Sequence, residues 1–252
     1  MANHQRYSVF AVTLLLVMLG FSQPVDGEES LEKDVIKTSA GDLGITFIGH
    51  GSLFFEFNGK VIHIDPFSHL ADYAKLPKAD VVLITHHHSD HLDVGALDAI
   101  RKTNTKIILT EKCADAIKDG IIIMKNGDAR TVEEIKVEAV PAYNLIHKHE
   151  SGQIYHPKGE GNGYVVTFGD KRVYIAGDTE NTPEMKALQA IDIAFLPMNL
   201  PYTMTPQMAA DAVNAFKPKM LYPYHYGETD TSKLLALLAD NENIEVRIRK
   251  MK

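Results

Sequence analysis

Between Val81 and Asp93 the chain reads VVLITHHHSDHLD, an unbroken apolar and largely β-branched run that stops at Thr85 and passes straight into His86, His87, His88, Asp90 and His91. Such a run suits a strand buried on both faces better than one that alternates between core and water. The polar cluster therefore sits on a loop at the end of a core strand, and a helix reading DVGALDAI follows, with Asp93 placed to start it. His86 and His88 are two apart and can point the same way, Asp90 and His91 lie just beyond, and alternation turns His87 aside. Imidazole and carboxylate are the ligands that a borderline divalent ion such as zinc takes in catalytic sites, whereas thiolate favours closed structural sites and is absent here. A metal site is what this pattern points to.

Ahead of it, Arg6 and the run VFAVTLLLVMLGF resemble a signal peptide over 1–27, since a membrane-spanning helix needs about 20 apolar residues. The expectation is an exported protein, periplasmic or extracellular, with no stable membrane insertion after cleavage. Residues 28–43 are polar and charged and read as a linker, and 44–252 as one α/β domain. Cys113 is the sole cysteine, which excludes an intrachain disulfide. With 26 Lys and Arg against 33 Asp and Glu, and no basic stripe beyond the terminal RIRKMK, the chain is not built for nucleic acid. A small-molecule substrate is the expected partner.

ITFIG, SLFFEF and KVIHID read as three short strands, with Asn58-Gly59 as a two-residue hairpin turn between the last two. Strand and helix patterns then alternate: VVLIT with DVGALDAIRK, and KIILT with KCADAIK. The second half repeats the theme, because Lys171 to Ala176 weakly echoes Lys60 to Asp65. Further helices are expected in TPEMKALQ, in SKLLALLAD and after Thr205-Pro206, which suit a cap and first helical position, and a closing strand in EVRIRK.

His86, His88, Asp90 and His91 spell HxHxDH, which resembles the signature of the metallo-β-lactamase-fold hydrolases. Tyr174 to Thr179, with Ala176-Gly177-Asp178, resembles that family's segment for a bridging aspartate, and Tyr222 to Gly227 the segment with its last histidine. Gly49-His50-Gly51-Ser52, Ile64-Asp65-Pro66, Pro141-Ala142-Tyr143 and Tyr202-Thr203-Met204 are similar to the branch containing L-ascorbate-6-phosphate lactonase. The resemblance implies an αββα sandwich. The β-lactamases and glyoxalase II place a PGHT-like segment where this chain has PAYN, which argues against those activities.

The resemblance also implies two divalent metal ions, zinc or manganese. His86 and His88 would hold one, Asp90, His91 and His225 the second, and Asp178 would bridge them. Many relatives have a histidine where this chain has Asn144, and often another at Ile175. His156 is the expected replacement ligand, because His156-Pro157-Lys158-Gly159 resembles a segment that accompanies such an asparagine; the Asn144 carbonyl is the alternative. His50 and Asp65 are expected behind the ligands, where they would fix imidazole tautomers, with a core role the alternative for His50. Tyr202 would border the pocket, and Lys158 could meet a substrate anion. The activity implied is hydrolysis of an ester-like bond, a lactone or phosphodiester, by a solvent-derived hydroxide held on the metals, with Asp90 orienting it or moving its proton. The competing reading is a non-catalytic metal-binding or sensing protein with a degenerate first site.

Overall fold

The computed structural model describes Met1 and residues 31–252, so the leader read as a signal peptide lies outside the described residues. Seven strands form the first sheet: β1 (Lys33–Thr38), β2 (Gly41–Gly49), β3 (Ser52–Phe57), β4 (Lys60–Ile64), β5 (Ala79–Leu83), β6 (Arg101–Leu109) and β7 (Ile121–Ile123). Seven more form the second: β8 (Ala129–Val132), β9 (Ile135–Ala142), β10 (Gly161–Phe168), β11 (Lys171–Ile175), β12 (Ile193–Pro197), β13 (Met220–Tyr224) and β14 (Glu245–Val246). Neighbours in each sheet follow chain order, antiparallel through β4 and through β11, then parallel. The second sheet thus repeats the topology of the first, and β4 and β11, which carry the sequence echo, are the matching strands where pairing changes direction.

Asn58 and Gly59 take φ of 49° and 75°, the left-handed backbone of a two-residue hairpin, and close β3 onto β4 at Phe57 and Lys60. In β5 and the residue after it, Val81 and Leu83 join the core between the sheets, while Val82 and Ile84 pack under α1 (Val94–Ile100) with Ala96, Leu97 and Ile100. The apolar run is therefore buried on both faces. Beyond α2 (Pro183–Lys186), α3 (Pro206–Phe216) buries Ala209, Val213 and Phe216, and the Phe216 ring meets Tyr174 of β11 at 6.1 Å. On the opposite face of that sheet, Phe195 and Tyr222 meet Phe47 of β2 at 6.3 and 5.1 Å. With α4 (Ser232–Leu237) the layers run helix, sheet, sheet, helix: an αββα sandwich.

Three expectations need correction. The supposed linker 28–43 holds β1 and the start of β2. Its strand is an edge with alternating exposure, held by ladder bonds and by Asp34, whose carboxylate accepts from Arg249 at 2.8 Å, from Arg247 at 3.1 Å and from the Tyr222 hydroxyl. Burying little apolar surface, it leaves no hydrophobic signal. The same contacts tie down the basic C-terminal tail, in which only Glu245–Val246 is strand and Met251 is buried. KCADAIK forms a 3-10 turn, Glu111–Ala116, with Cys113 buried, and not an α-helix.

Candidate metal centre

The chain leaves several strands at one end of the sandwich, and the predicted ligands collect there: His86, His88, Asp90 and His91 after β5, Asp178 after β11, and His225 directly after β13. The turns are sharp. His50, Asp65 and His225 have φ of 51°, 41° and 44°, unusual for residues with a side chain and held by their neighbours: the His225 amide donates to His50 O at 2.9 Å, and the Asp65 amide to Leu83 O at 3.0 Å. Gly177, at φ 66°, turns the chain into Asp178 and donates its amide to the Tyr224 hydroxyl at 2.8 Å. A Cβ there would lie 3.0 Å from both Asn162 O and Thr85 Cβ, so only glycine fits.

Two groups of donors face each other across Asp178. His86, His88 and His156 bring one ligand atom each within 4.8 Å of one another, and so do His50, Asp90, His91 and His225. His86 Nε2 and His88 Nδ1 are 3.1 Å apart, and His156 Nε2 and His225 Nε2 each lie 3.4 Å from Asp178 Oδ2. His91 Nε2 lies 3.5 Å from Asp178 Oδ1, and His86 Nε2 4.0 Å from Asp178 Oδ2. Donors at zinc distance in a tetrahedron stand roughly 3.3 Å apart, so this spacing fits a shared cation. The nitrogens His91 Nε2, His156 Nε2 and His225 Nε2 and the oxygen Asp178 Oδ1 are buried without a hydrogen-bond partner. Buried polar atoms are normally satisfied, and these four orphans gathered around Asp178 are what bound cations would satisfy.

The outward nitrogens of His86, His91 and His156 are engaged. Asp65 accepts from the Thr85 amide at 2.8 Å, from Thr85 Oγ1 at 2.6 Å and from His91 Nδ1 at 2.8 Å, which leaves His91 Nε2 as the free lone pair. Having donated to Asp65, Thr85 Oγ1 accepts from His86 Nδ1 at 3.0 Å, which turns His86 Nε2 inward. His50 Nε2 donates to Asp90 Oδ2 at 3.0 Å, and its ring lies tilted against His225 at 3.6 Å between centroids. Gly51 passes so close to His91 that a Cβ would sit 2.9 Å from Cε1.

His156 is aligned by Asn144, whose Oδ1 accepts from His156 Nδ1 at 2.6 Å. The Asn144 amide nitrogen donates to Glu180 Oε1 at 3.1 Å and to Tyr202 O at 2.8 Å, so both of its polar atoms are committed and neither faces the ligand cluster. Asn144 therefore stands behind His156. Glu180, fully buried, escaped the sequence reading: it also accepts from the amides of Leu145, Ile146 and His147 at 2.7, 2.8 and 2.7 Å and lies 2.8 Å from His147 Nδ1. The one available signal was its place directly after Asp178-Thr179.

Electrostatics agree with a cation site. Burial, followed by the neighbouring imidazoles, keeps His86 neutral; burial likewise takes His225 down to about 4, against the pull of Asp178. Burial raises Asp178, but His225, His91 and His156 outweigh it and hold the carboxyl below its ordinary value; Asp90 is also depressed, with the His50 bond overcoming burial. At His91 burial opposes charge, yet Asp178 and Asp65 push its pKa up to about 9, a measure of how negative the pocket is.

The ligand cluster opens into a cavity of about 400 Å³ bordered by His149, Tyr155, Asn199 and Tyr202. Lys158, expected to meet a substrate anion, is instead paired with Glu184 Oε1 at 2.7 Å. Ile175 is buried in the core.

Known proteins match both the sequence and the fold. The pattern of the β-lactamase superfamily domain matches residues 44–225. A UPF0173 metal-dependent hydrolase of Nanoarchaeum equitans is 33% identical over 188 residues, 72% of this chain and 83% of its own length. Among solved structures, a protein of Parabacteroides distasonis described as a candidate metal-dependent hydrolase aligns with a TM-score of 0.84 at 49% identity, covering 88% of this chain and 100% of that one. Igni18, a metallo hydrolase of Ignicoccus hospitalis, aligns with a TM-score of 0.69 at 25% identity, covering 83% and 95%. The chain belongs to the metallo-β-lactamase superfamily and, within it, to the UPF0173 metal-dependent hydrolases.

Proposed function

We propose that this metal-dependent hydrolase is exported, binds two divalent ions, zinc or manganese, and opens an ester-like bond, a lactone or phosphodiester, in a small-molecule substrate. The first ion would be held by His86, His88 and His156, the second by Asp90, His91 and His225, with Asp178 between them. The observation that carries this is the set of buried, unpartnered donors on His91, His156, His225 and Asp178 at ligand spacing. Bound there, divalent cations acidify water and stabilise negative charge on the oxygen of the bond under attack.

The protein's own groups do the rest. Asp90 lines the cavity and stays ionised, so it can accept a hydrogen bond from the attacking water and orient it. His50 holds Asp90 in that orientation, and Asp65 and Asn144 keep the lone pairs of His91 and His156 inward. The rival reading, a binding protein with a degenerate first site, was motivated by Asn144 standing where a histidine is expected. His156 brings an imidazole to that place and speaks against it.

Metal analysis of the purified protein should find about two ions per chain, and a screen of lactones and phosphodiesters with defined metals should find turnover. Asp178→Ala should abolish that turnover while circular dichroism stays that of the folded domain. Hydrolysis retained in this variant would sink the two-ion reading.

A further inference from the structure

We infer that the substrate carries an aromatic or similarly flat apolar group beside the bond that is cut, and no second anionic group; this rests on the hydrolase reading and names a substrate class for the same site. The cavity of about 400 Å³ is within the range of small organic ligands. Its metal side is His88, Asp90, His156, Asp178 and His225.

Besides these ligands the cavity is bordered by a row of rings. His149 and Tyr155 are 4.0 Å apart between centroids, and Tyr155 meets the Tyr202 ring edge-on at 5.1 Å. Tyr202 is 44% exposed, so ring surface remains for a ligand to cover. The row is anchored from behind: Tyr202 O accepts from Asn144, and Tyr155 directly precedes His156. An aromatic group placed on such rings gains both desolvation and ring-to-ring contact.

Charge points the same way. Among the described residues that line the cavity there is no lysine or arginine. Lys158 is bonded to Glu184 and lies over the Tyr143 ring at 4.7 Å, where it is already occupied. A phosphate or carboxylate at the far end of a substrate would therefore meet the electron-rich faces of Tyr155 and Tyr202 with no lysine or arginine to pair with. Such a wall suits an aryl or apolar ester or lactone, and sets the substrate apart from phosphorylated sugar lactones.

The test compares γ-butyrolactone with γ-phenyl-γ-butyrolactone on the metal-loaded protein, and in parallel the calorimetric binding of butyrate and 4-phenylbutyrate. The phenyl compounds should show a KM and Kd about tenfold lower, the size expected of one ring stacked on an aromatic wall. Tyr202→Ala and Tyr155→Ala should bring that ratio to within about twofold, and Tyr202→Phe should keep it. A ratio near one in the wild-type protein, or one that survives both alanine variants, overturns the inference. If neither lactone is cleaved, the lactone reading fails, and the carboxylate pair still decides the aromatic wall by the same ratio.

Discussion

Replacing Asn144 by alanine should loosen one metal ion and not the other. The amide makes three bonds: it accepts from His156 Nδ1 at 2.6 Å and donates to Glu180 Oε1 at 3.1 Å and to Tyr202 O at 2.8 Å. Asn144→Ala leaves the buried His156 Nδ1 without its partner and frees the ring to turn, while Glu180 keeps the three amides of Leu145, Ile146 and His147. Loss of the partner that orients a ligating imidazole costs about 10- to 100-fold in metal affinity, or about 1.4 to 2.7 kcal/mol. The orphaned donor adds a stability loss of about 1 to 3 kcal/mol. Competition against a chromogenic chelator would resolve the two binding steps, with thermal unfolding followed on the same samples. Only the site containing His156 should weaken, and in a His156→Ala background Asn144→Ala should add almost nothing to that weakening. Full first-ion affinity in Asn144→Ala, or equal weakening of both ions, would refute the assignment of His156 as the ligand that Asn144 aligns.

Asp65→Asn should do the reverse, weakening the ion held by His91 about tenfold in the same titration, because a neutral amide cannot accept from Thr85 and His91 as the carboxylate does. Gly177→Ala places a Cβ against Asn162 O and Thr85 in a left-handed backbone, and should lower stability in denaturant by about 2 kcal/mol or more together with metal uptake; an unchanged midpoint would be contrary evidence. Asp34→Asn tests the edge strand through pH. Burial resists charge on Asp34, but bonds from Tyr222, Arg249 and Arg247 prevail and lower its pKa below the ordinary 3.8. A carboxyl depressed in the folded state contributes stability that is present above its unfolded pKa and lost as pH falls through the folded one. The stability gap between wild type and Asp34→Asn should therefore be flat near neutral pH and shrink below about pH 4; a gap that persists undiminished into acid would count against the ion pair.

What could be read from the sequence was local chemistry. The run Val81 to Ile84 declares its burial by composition, Asn58-Gly59 its turn by conformational preference, and Thr205-Pro206 its helix start: Thr205 Oγ1 accepts from the Met208 amide at 3.1 Å. What stayed hidden depends on partners far along the chain. β1 is polar because an ion pair with Arg249, 215 residues away, does what apolar burial does elsewhere. Glu180 bonds to residues 33 to 36 positions earlier, and nothing around it in sequence announces that.

The choice between Asn144 and His156 belongs to this second kind, since each side chain is chemically able to bind a metal. They are separated only by what already occupies the amide. The outcome divides the centre into two unequal parts. His225 and His91 are fixed from the sheets, one directly after β13 and the other through Asp65 after β4. His156 arrives on a long connection whose approach is held by one buried carboxylate and one amide. On the proposed two-ion reading, affinity for the second ion would then be a property of the sandwich, whereas affinity for the first would be a property of loop order. Because Tyr202 O bonds to the same amide that aligns His156, packing a substrate against Tyr202 and tightening the first ion are two effects on one element. A ligand such as 4-phenylbutyrate should therefore slow chelator-driven loss of the first ion in the wild-type protein and leave that rate unchanged in Asn144→Ala.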